Sequence, residues 1–317
     1  MKTAIVIGSN GQDGYYLSRS LEQEGCRVMR VDQGQISPAL NYHSDDPFDI
    51  CRPEHIDALI KTLLPDEVYH LAAFHQSAQD DYVESLDILE KSIQVNEVSL
   101  FNLLSSITKF SPKTRLFYAA SSLIFGEPDT EIQTEDTPIN PLTLYGITKA
   151  SGIYLCRKFR KEHGIFAACG ILYNHESPRR QKNFLSKKIT LGVENAMKDR
   201  HAVLELGNLS ASADWGFAPD YVEAMKLILK QETPDDFIVA TGEKHTVKDF
   251  VSCAFQSAGL NWKEHVKETS GIVKRVTTPL IGNSSKLRKV TGWKPAVNFE
   301  QMVKILVEKG ADIEQQE

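Results

Sequence analysis

Short apolar runs alternate with segments of helical apolar spacing through the first half of the chain. Ala4 to Ile7 reads as a buried strand. Tyr15 to Glu24 repeats apolar residues at helical intervals until Gly25 stops it, and Arg27 to Val31 is the next strand. Asp49-Ile50, after Pro47-Phe48, sits where a third strand should end. Pro53 to Leu64 reads as a helix and Glu67 to Leu71 as a strand. A long amphipathic helix covers about Leu86 to Ser106, with Arg115 to Ala120 a strand, Tyr145 to Glu162 a long helix and Phe166 to Leu172 a strand. This alternation predicts an α/β fold, a doubly wound parallel sheet (Rossmann-like) with helices on both faces. After about residue 175 the pattern turns irregular, with later strands at Phe237 to Ala240 and near Leu280. The expected division is a sheet domain over 1–172, joined by a strand returning near 237–240, and a smaller C-terminal lobe over 173–317 interleaved with it.

Composition narrows the class. The chain has 317 residues, 41% hydrophobic and 25% charged, which is ample for one large core with a smaller lobe. Its net charge of -6 and lack of a Lys/Arg block argue against a nucleic-acid partner. The cysteines Cys26, Cys51, Cys156, Cys169 and Cys253 are scattered, without CxxC or metal-ligand spacing, which fits idle thiols in a reducing compartment and no metal site. The N-terminus enters a strand pattern with no signal-peptide features, and no apolar run reaches the ~20 residues that span a bilayer. The expectation is a soluble, cytoplasmic protein without a membrane partner.

The first strand runs into Gly8-Ser9-Asn10-Gly11-Gln12-Asp13-Gly14. Glycines so spaced, after a strand and before a helix, allow a tight turn, close approach to a pyrophosphate and close helix packing. The helix N-terminus then offers its amides to the phosphates. Asp32 ends the second strand, where a carboxylate accepts ribose hydroxyls and repels a 2′-phosphate, so NAD is the expected cofactor; Arg30 is the one nearby residue that favours NADP. Asp49 and Ile50 are placed to take the adenine, and the small residues of Leu71-Ala72-Ala73 suit close approach of the cofactor.

Tyr145-Gly146-Ile147-Thr148-Lys149 sets a tyrosine and a lysine on one helix face. An ammonium beside a phenol lowers its pKa, and a phenol so tuned exchanges a hydroxyl proton while hydride moves to or from a nicotinamide. Ser121, at a strand end, can polarise the same oxygen, with Ser122 beside it. Together these residues resemble the extended short-chain dehydrogenase/reductase superfamily, and more closely the GDP-mannose 4,6-dehydratases. Gly170-Ile171-Leu172-Tyr173-Asn174-His175-Glu176-Ser177-Pro178-Arg179-Arg180 looks like that family's nucleotide-sugar signature. Asn183-Phe184, Asp214-Trp215-Gly216 and Gly292-Trp293-Lys294-Pro295 match as well. The resemblance implies that Asn174 holds a substrate phosphate oxygen, Lys188 lies near the base and Arg179 lines the entrance. Arg179-Arg180 and Lys187-Lys188 also read as a basic cluster suited to a diphosphate.

The chain departs from the family pattern in ways that bear on chemistry. The resemblance implies a glutamate after the serine pair, as the base that takes the C5 proton; here the residue is Leu123, and loss of a positioned base costs roughly 100- to 10,000-fold. Glu127 follows Gly126 in what reads as a turn. His75 opens a loop at a strand's carboxyl end and is either a substrate contact or a second proton-transfer group. Lys274-Arg275-Val276-Thr277 stands where the resemblance implies an Arg-Pro-x-Glu run, leaving Lys274 or Arg275 as the cation for the diphosphate, and Gln33-Gly34-Gln35 replaces the family's basic run associated with NADP and subunit contacts. The leading expectation is an NAD-dependent oxidoreductase working at C4 of a nucleotide-diphosphate sugar, most plainly a GDP sugar, as dehydrogenase, 4-ketoreductase or 4-epimerase. The alternatives are a 4,6-dehydratase with a relocated base, Glu127 or His75, and an idle NAD-binding regulator. The two long helices resemble those that pair subunits in the superfamily, implying a homodimer and leaving a tetramer open.

Overall fold

Seven strands build the central sheet: β1 (Thr3–Ile7), β2 (Arg27–Asp32), β3 (Gln35–Ile36), β4 (Glu67–His70), β5 (Arg115–Ser121), β6 (Phe166–Leu172) and β7 (Asp236–Val239). Their spatial order is β7-β6-β5-β4-β1-β2-β3. Every neighbouring pair is parallel except the two-residue β3, which runs antiparallel to β2. The computed structural model describes residues 1–36, 47–75, 85–271 and 278–314. Strand order reverses between β1 and β4, and ligands of such sheets bind beyond the strand carboxyl ends at that point.

Side-chain alternation divides the core in two. Ile5 and Ile7 of β1 pack with Ile56 and Leu59 of α2 (Pro53–Leu63), Leu100 and Leu103 of α4 (Ser99–Phe110), and Ile153 of α5 (Leu144–His163). Ala4 and Val6 face the other way, onto Leu17 and Leu21 of α1 (Gln12–Gln23) and Met225 and Ile228 of α7 (Ala218–Leu229). Strands buried on both faces read as continuous apolar runs, which is why the sequence pattern found them. A third apolar cluster contains no residue of this sheet. It joins Ile189 and Val193 of α6 (Leu185–Lys198), Phe250 and Phe255 of α8 (Val247–Ser257), and Met302 and Leu306 of the helix Phe299–Glu314.

Two local expectations change. No strand ends at Asp49 among the described residues: Asp49 Oδ1 accepts from the Cys51 amide at 2.8 Å, closing a turn that feeds Pro53 at the first position of α2. The long helix after Ser85 is α3 (Leu86–Ile93), a π-helical turn (Gln94–Val98) and then α4, running to Phe110. Where that turn meets α4 the Ser99 hydroxyl donates to the Val95 carbonyl at 2.6 Å, a bond that competes with regular helix pairing. Beyond Tyr173 the chain continues from β6 into a short strand, Asn174–Glu176, paired with Trp215–Phe217. Among the described residues no helix is long and apolar enough to cross a membrane.

Candidate active site

The glycine loop lies against the start of the segment after β4. Gly8 has φ 87°, and a Cβ there would stand 2.7 Å from the Ala72 nitrogen; a Cβ on Gly14 would meet the Gly8 carbonyl oxygen at 2.1 Å. The two glycines therefore let the loop fold onto Ala72 and onto the first turn of α1. Leu71, which donates its amide to Ile7 O at 2.9 Å, Ala72 and Ala73 border the loop. Gly11 precedes α1, and no side chain caps that N-terminus. Uncapped amides at the start of a 12-residue helix, behind a turn only glycine can make, fit a dinucleotide pyrophosphate. Asp32 closes the other side: its carboxylate accepts from the amides of Asn10 (2.7 Å) and Gln33 (2.8 Å), leaving a lone pair on each oxygen for a ribose hydroxyl. Arg30 is paired with Glu22 at 2.8 Å, so its guanidinium is engaged away from a 2′-phosphate. Asp49 shares its carboxylate with its own turn, and Ile50 packs partly buried against the core.

Gln12 and Asp13 are notable for where their side chains go. Gln12 donates to the His175 carbonyl (3.0 Å) and accepts from the Ser177 hydroxyl (2.8 Å). His175 Nε2 donates to Asp13 Oδ2 at 2.8 Å, and its Nδ1 donates to the Tyr173 carbonyl at 2.7 Å. Both partners are acceptors, an arrangement that favours the doubly protonated ring, and the Asp13 carboxylate holds the His175 pKa above its ordinary value against the pull of burial. These side chains stitch the loop to the Asn174–Glu176 segment, and only their backbone amides remain toward a phosphate.

Ser121 ends β5, and its Oγ accepts from the Leu123 amide at 3.2 Å, capping the tight helical turn Ser122–Phe125; Ser122 is buried. The Thr143 hydroxyl caps α5 by accepting from Gly146 N at 3.0 Å, which aims Tyr145 back at β5. Ser121 lies close enough to the Tyr145 hydroxyl to favour its phenolate. Burial holds the Tyr145 phenol above its ordinary pKa, offset in part by the Arg180 guanidinium and by Ser121. Lys149 is buried, donates to the Ala119 carbonyl at 2.8 Å and stands 5.6 Å from the Tyr145 ring centre. Burial brings its own pKa down to about 7. The Arg180 guanidinium thus joins Lys149 near the phenol, an influence the sequence did not point to. Leu123 lies in the turn, partly buried against the core.

The His75 ring meets Tyr145 edge-on, centres 4.3 Å apart, and stacks at 25° on Phe184, 5.9 Å away. Asn96, in the π-helical turn, fixes this corner. It accepts from Phe74 N (2.8 Å) and donates to Phe74 O (3.2 Å) and Thr148 Oγ1 (3.0 Å). Sequence reasoning passed over Asn96. Its signal is a stripe of small polar residues at helical spacing, Asn96, Ser99, Asn102 and Ser106, all buried.

Arg180, read from sequence only as part of the basic cluster, pairs with Glu176 at 3.1 Å and lies 4.0 Å from the Phe184 ring centre. Arg179 lies 4.0 Å over the Tyr15 ring, and Asn174 is exposed where its short strand begins. The expected basic cluster is divided. Lys187 is buried and donates to the Gly310 carbonyl at 3.1 Å, because α6 turns it under the last helix, whereas Lys188 stays partly exposed. Arg275 lies outside the described residues.

Fold and site together define an epimerase/dehydratase of the extended short-chain dehydrogenase/reductase type. A family model described as GDP-mannose 4,6 dehydratase matches residues 5–306. GDP-mannose 4,6 dehydratase 1 of Arabidopsis thaliana is 36% identical over 340 residues, covering 100% of this chain and 91% of the relative. The chain belongs to the GDP-mannose 4,6-dehydratase family. Among solved structures, a dTDP-glucose 4,6-dehydratase from Bacillus anthracis in complex with NAD superposes with TM-score 0.80 at 18% identity, covering 100% of this chain and 98% of that one. RMD from Pseudomonas aeruginosa, complexed with NADPH, gives 0.81 at 18% identity, with 98% and 100% covered.

Proposed function

We propose that the chain is an NAD-dependent enzyme that oxidises C4 of a GDP-linked hexose, with GDP-mannose as its first candidate substrate. Ser121 at the carboxyl end of β5, with the Tyr145 hydroxyl beside it and the buried Lys149 next to the same ring, carries this reading. NAD, held by the glycine loop and Asp32, supplies a hydride acceptor when bound. Tyr145 takes the proton of the C4 hydroxyl while Ser121 holds the same oxygen. A buried phenol is a reluctant base, so the reading assigns Arg180 and Lys149 the task of favouring its phenolate. Asn174, Arg179 and Lys188 contact the nucleotide diphosphate, with Arg275 a further cation. The intact Tyr145 and Lys149 speak against an idle regulator.

A second reading, complete 4,6-dehydration, is favoured by the full-length likeness to named GDP-mannose 4,6-dehydratases, and the relatives support it better than simple dehydrogenation or 4-epimerisation. It shares the C4 oxidation and then needs a proton taken from C5, for which Leu123 offers no group. Incubation with NAD and GDP-mannose, followed by product mass, separates the outcomes. Loss of one water means dehydration, loss of two hydrogens means a released ketone, and unchanged mass with altered NMR couplings means epimerisation. Absence of any change across GDP-hexoses defeats the reading.

A further inference from the structure

We propose that His75 is an acid–base group of this site, exchanging a proton with a sugar carbon next to the C4 carbonyl. The inference rests on the C4 oxidation proposed above. Other groups around Tyr145 are ill-suited to the task. Leu123 is aliphatic, Lys149 donates to Ala119 O, Asp13 is bound to His175, and a guanidinium such as Arg180 does not give up its proton. Glu127 is exposed beyond the Gly126 turn. His75 carries an acid–base ring set against Tyr145 itself. It is solvent-accessible, its imidazole lies edge-on to Tyr145, and Phe184 stacks on the ring. The residue before it is held at both backbone polar groups by the fully buried Asn96, so the imidazole sits on a fixed support, as acid–base transfer requires.

The chemistry balances without a further reactant. Once C4 is a ketone, a C–H bond on C3 or C5 breaks. The proton goes to an imidazole nitrogen, and the electron pair forms the enolate with its charge on the C4 oxygen. Ser121 and the protonated Tyr145 both donate to that oxygen. Return of the proton restores the ketone. Return to the opposite face inverts the carbon. At C5, the imidazolium proton can instead leave with the C6 hydroxyl as water. His75 would thus supply what Leu123 lacks, and the dehydratase-like or epimerising outcomes would follow from it.

The test uses GDP-4-keto-6-deoxymannose in D2O with the NAD-loaded protein, read by NMR and mass. The wild type is expected to wash deuterium into C3 or C5 faster than protein-free buffer. His75→Phe keeps a flat ring against Tyr145 and Phe184 and should slow exchange at least about 100-fold. The variant's NAD-induced rise in Tm shows that it is folded. Exchange in His75→Phe at the wild-type rate, or wild-type exchange no faster than buffer, overturns the proposal. The product formed from GDP-mannose, measured in parallel by mass and NADH absorbance, keeps the two ideas separate. Exchange without any product oxidised at C4 or derived from that ketone contradicts the C4 reading, and such a product without exchange contradicts the role of His75.

Discussion

Asn96→Ala should damage the site through two loops at once. The asparagine side chain is fully buried and makes three hydrogen bonds, two to the Phe74 backbone and one to Thr148. Thr148 keeps its bond to the Tyr145 carbonyl at 3.0 Å, so the Phe74 N–H and C=O are the groups left unmet. Each unmet buried polar group costs about 1–3 kcal/mol, giving about 2–6 kcal/mol for the pair. Phe74 is only partly buried, so water can reach part of the gap and the lower half of that range is expected. At about 2 °C per kcal/mol for a chain of this size, Tm should fall by about 4–8 °C. Turnover should fall further than stability implies, because His75 follows Phe74 and Tyr145 lies one helical turn before Thr148. A misplacement of about 1 Å costs on the order of 100-fold. Asn102→Ala is the matched control: it removes bonds to Ile50 O (3.4 Å) and Cys51 O (3.0 Å) in the neighbouring loop, so Tm should drop with a smaller loss of kcat. Scanning fluorimetry with steady-state kinetics reads both. A melting point within a degree of wild type, or equal kcat losses in the two variants, refutes the reasoning.

Three other outcomes are expected. Burial works to raise the Asp13 pKa and lower that of His175, but their attraction wins, so Asp13 titrates low and His175 high in the folded chain. The His175 contribution is full below 6.5 and fades as pH climbs through its raised value; that of Asp13 is full above 3.8 and fades as pH falls through its lowered one. Asp13→Asn should therefore cost most between those values, about 3 kcal/mol in urea melts, and a pH-independent difference would argue against the pair. Asp32→Ala should cut the preference for NAD over NADP at least about tenfold in binding titrations, since one screened charge near a phosphate is worth about 1.4 kcal/mol or more; tighter NADP binding by the wild type would contradict the assignment. Phe101 on α4 and Tyr154 on α5 are 48% and 54% exposed, which suits a dimer face, so Tyr154→Asp should shift light scattering toward monomer, and a monomeric wild type at micromolar concentration would remove that face's role.

The sheet was legible because its strands are buried on both faces, leaving runs such as Ala4 to Ile7 with little polar interruption. The glycine loop and the Tyr145/Lys149 pair were legible because each chemistry demands a residue type at a fixed local spacing. Interactions between distant segments were not. Asn96 looks like the polar face of an amphipathic helix until the loop at Phe74 folds over it. Lys187 reads as one of a basic pair, yet helix geometry turns it inward while Lys188 stays partly exposed. Lys149 was the evident partner for the phenol, and the electrostatic influence of Arg180 appears only once the segment after β6 folds back over α1. Asp49 followed an apolar residue as a strand end would, but its side chain closes a turn instead.

C4 oxidation driven through Tyr145 is tested most directly by the product formed from GDP-mannose by the NAD-loaded wild type and by Tyr145→Phe, compared by mass spectrometry and NADH absorbance. The expected wild-type product is oxidised at C4, or derived from that ketone by loss of water or by inversion, with Tyr145→Phe slower by at least about 100-fold. Equal rates in the two proteins, or no product from any GDP-hexose, would contradict it.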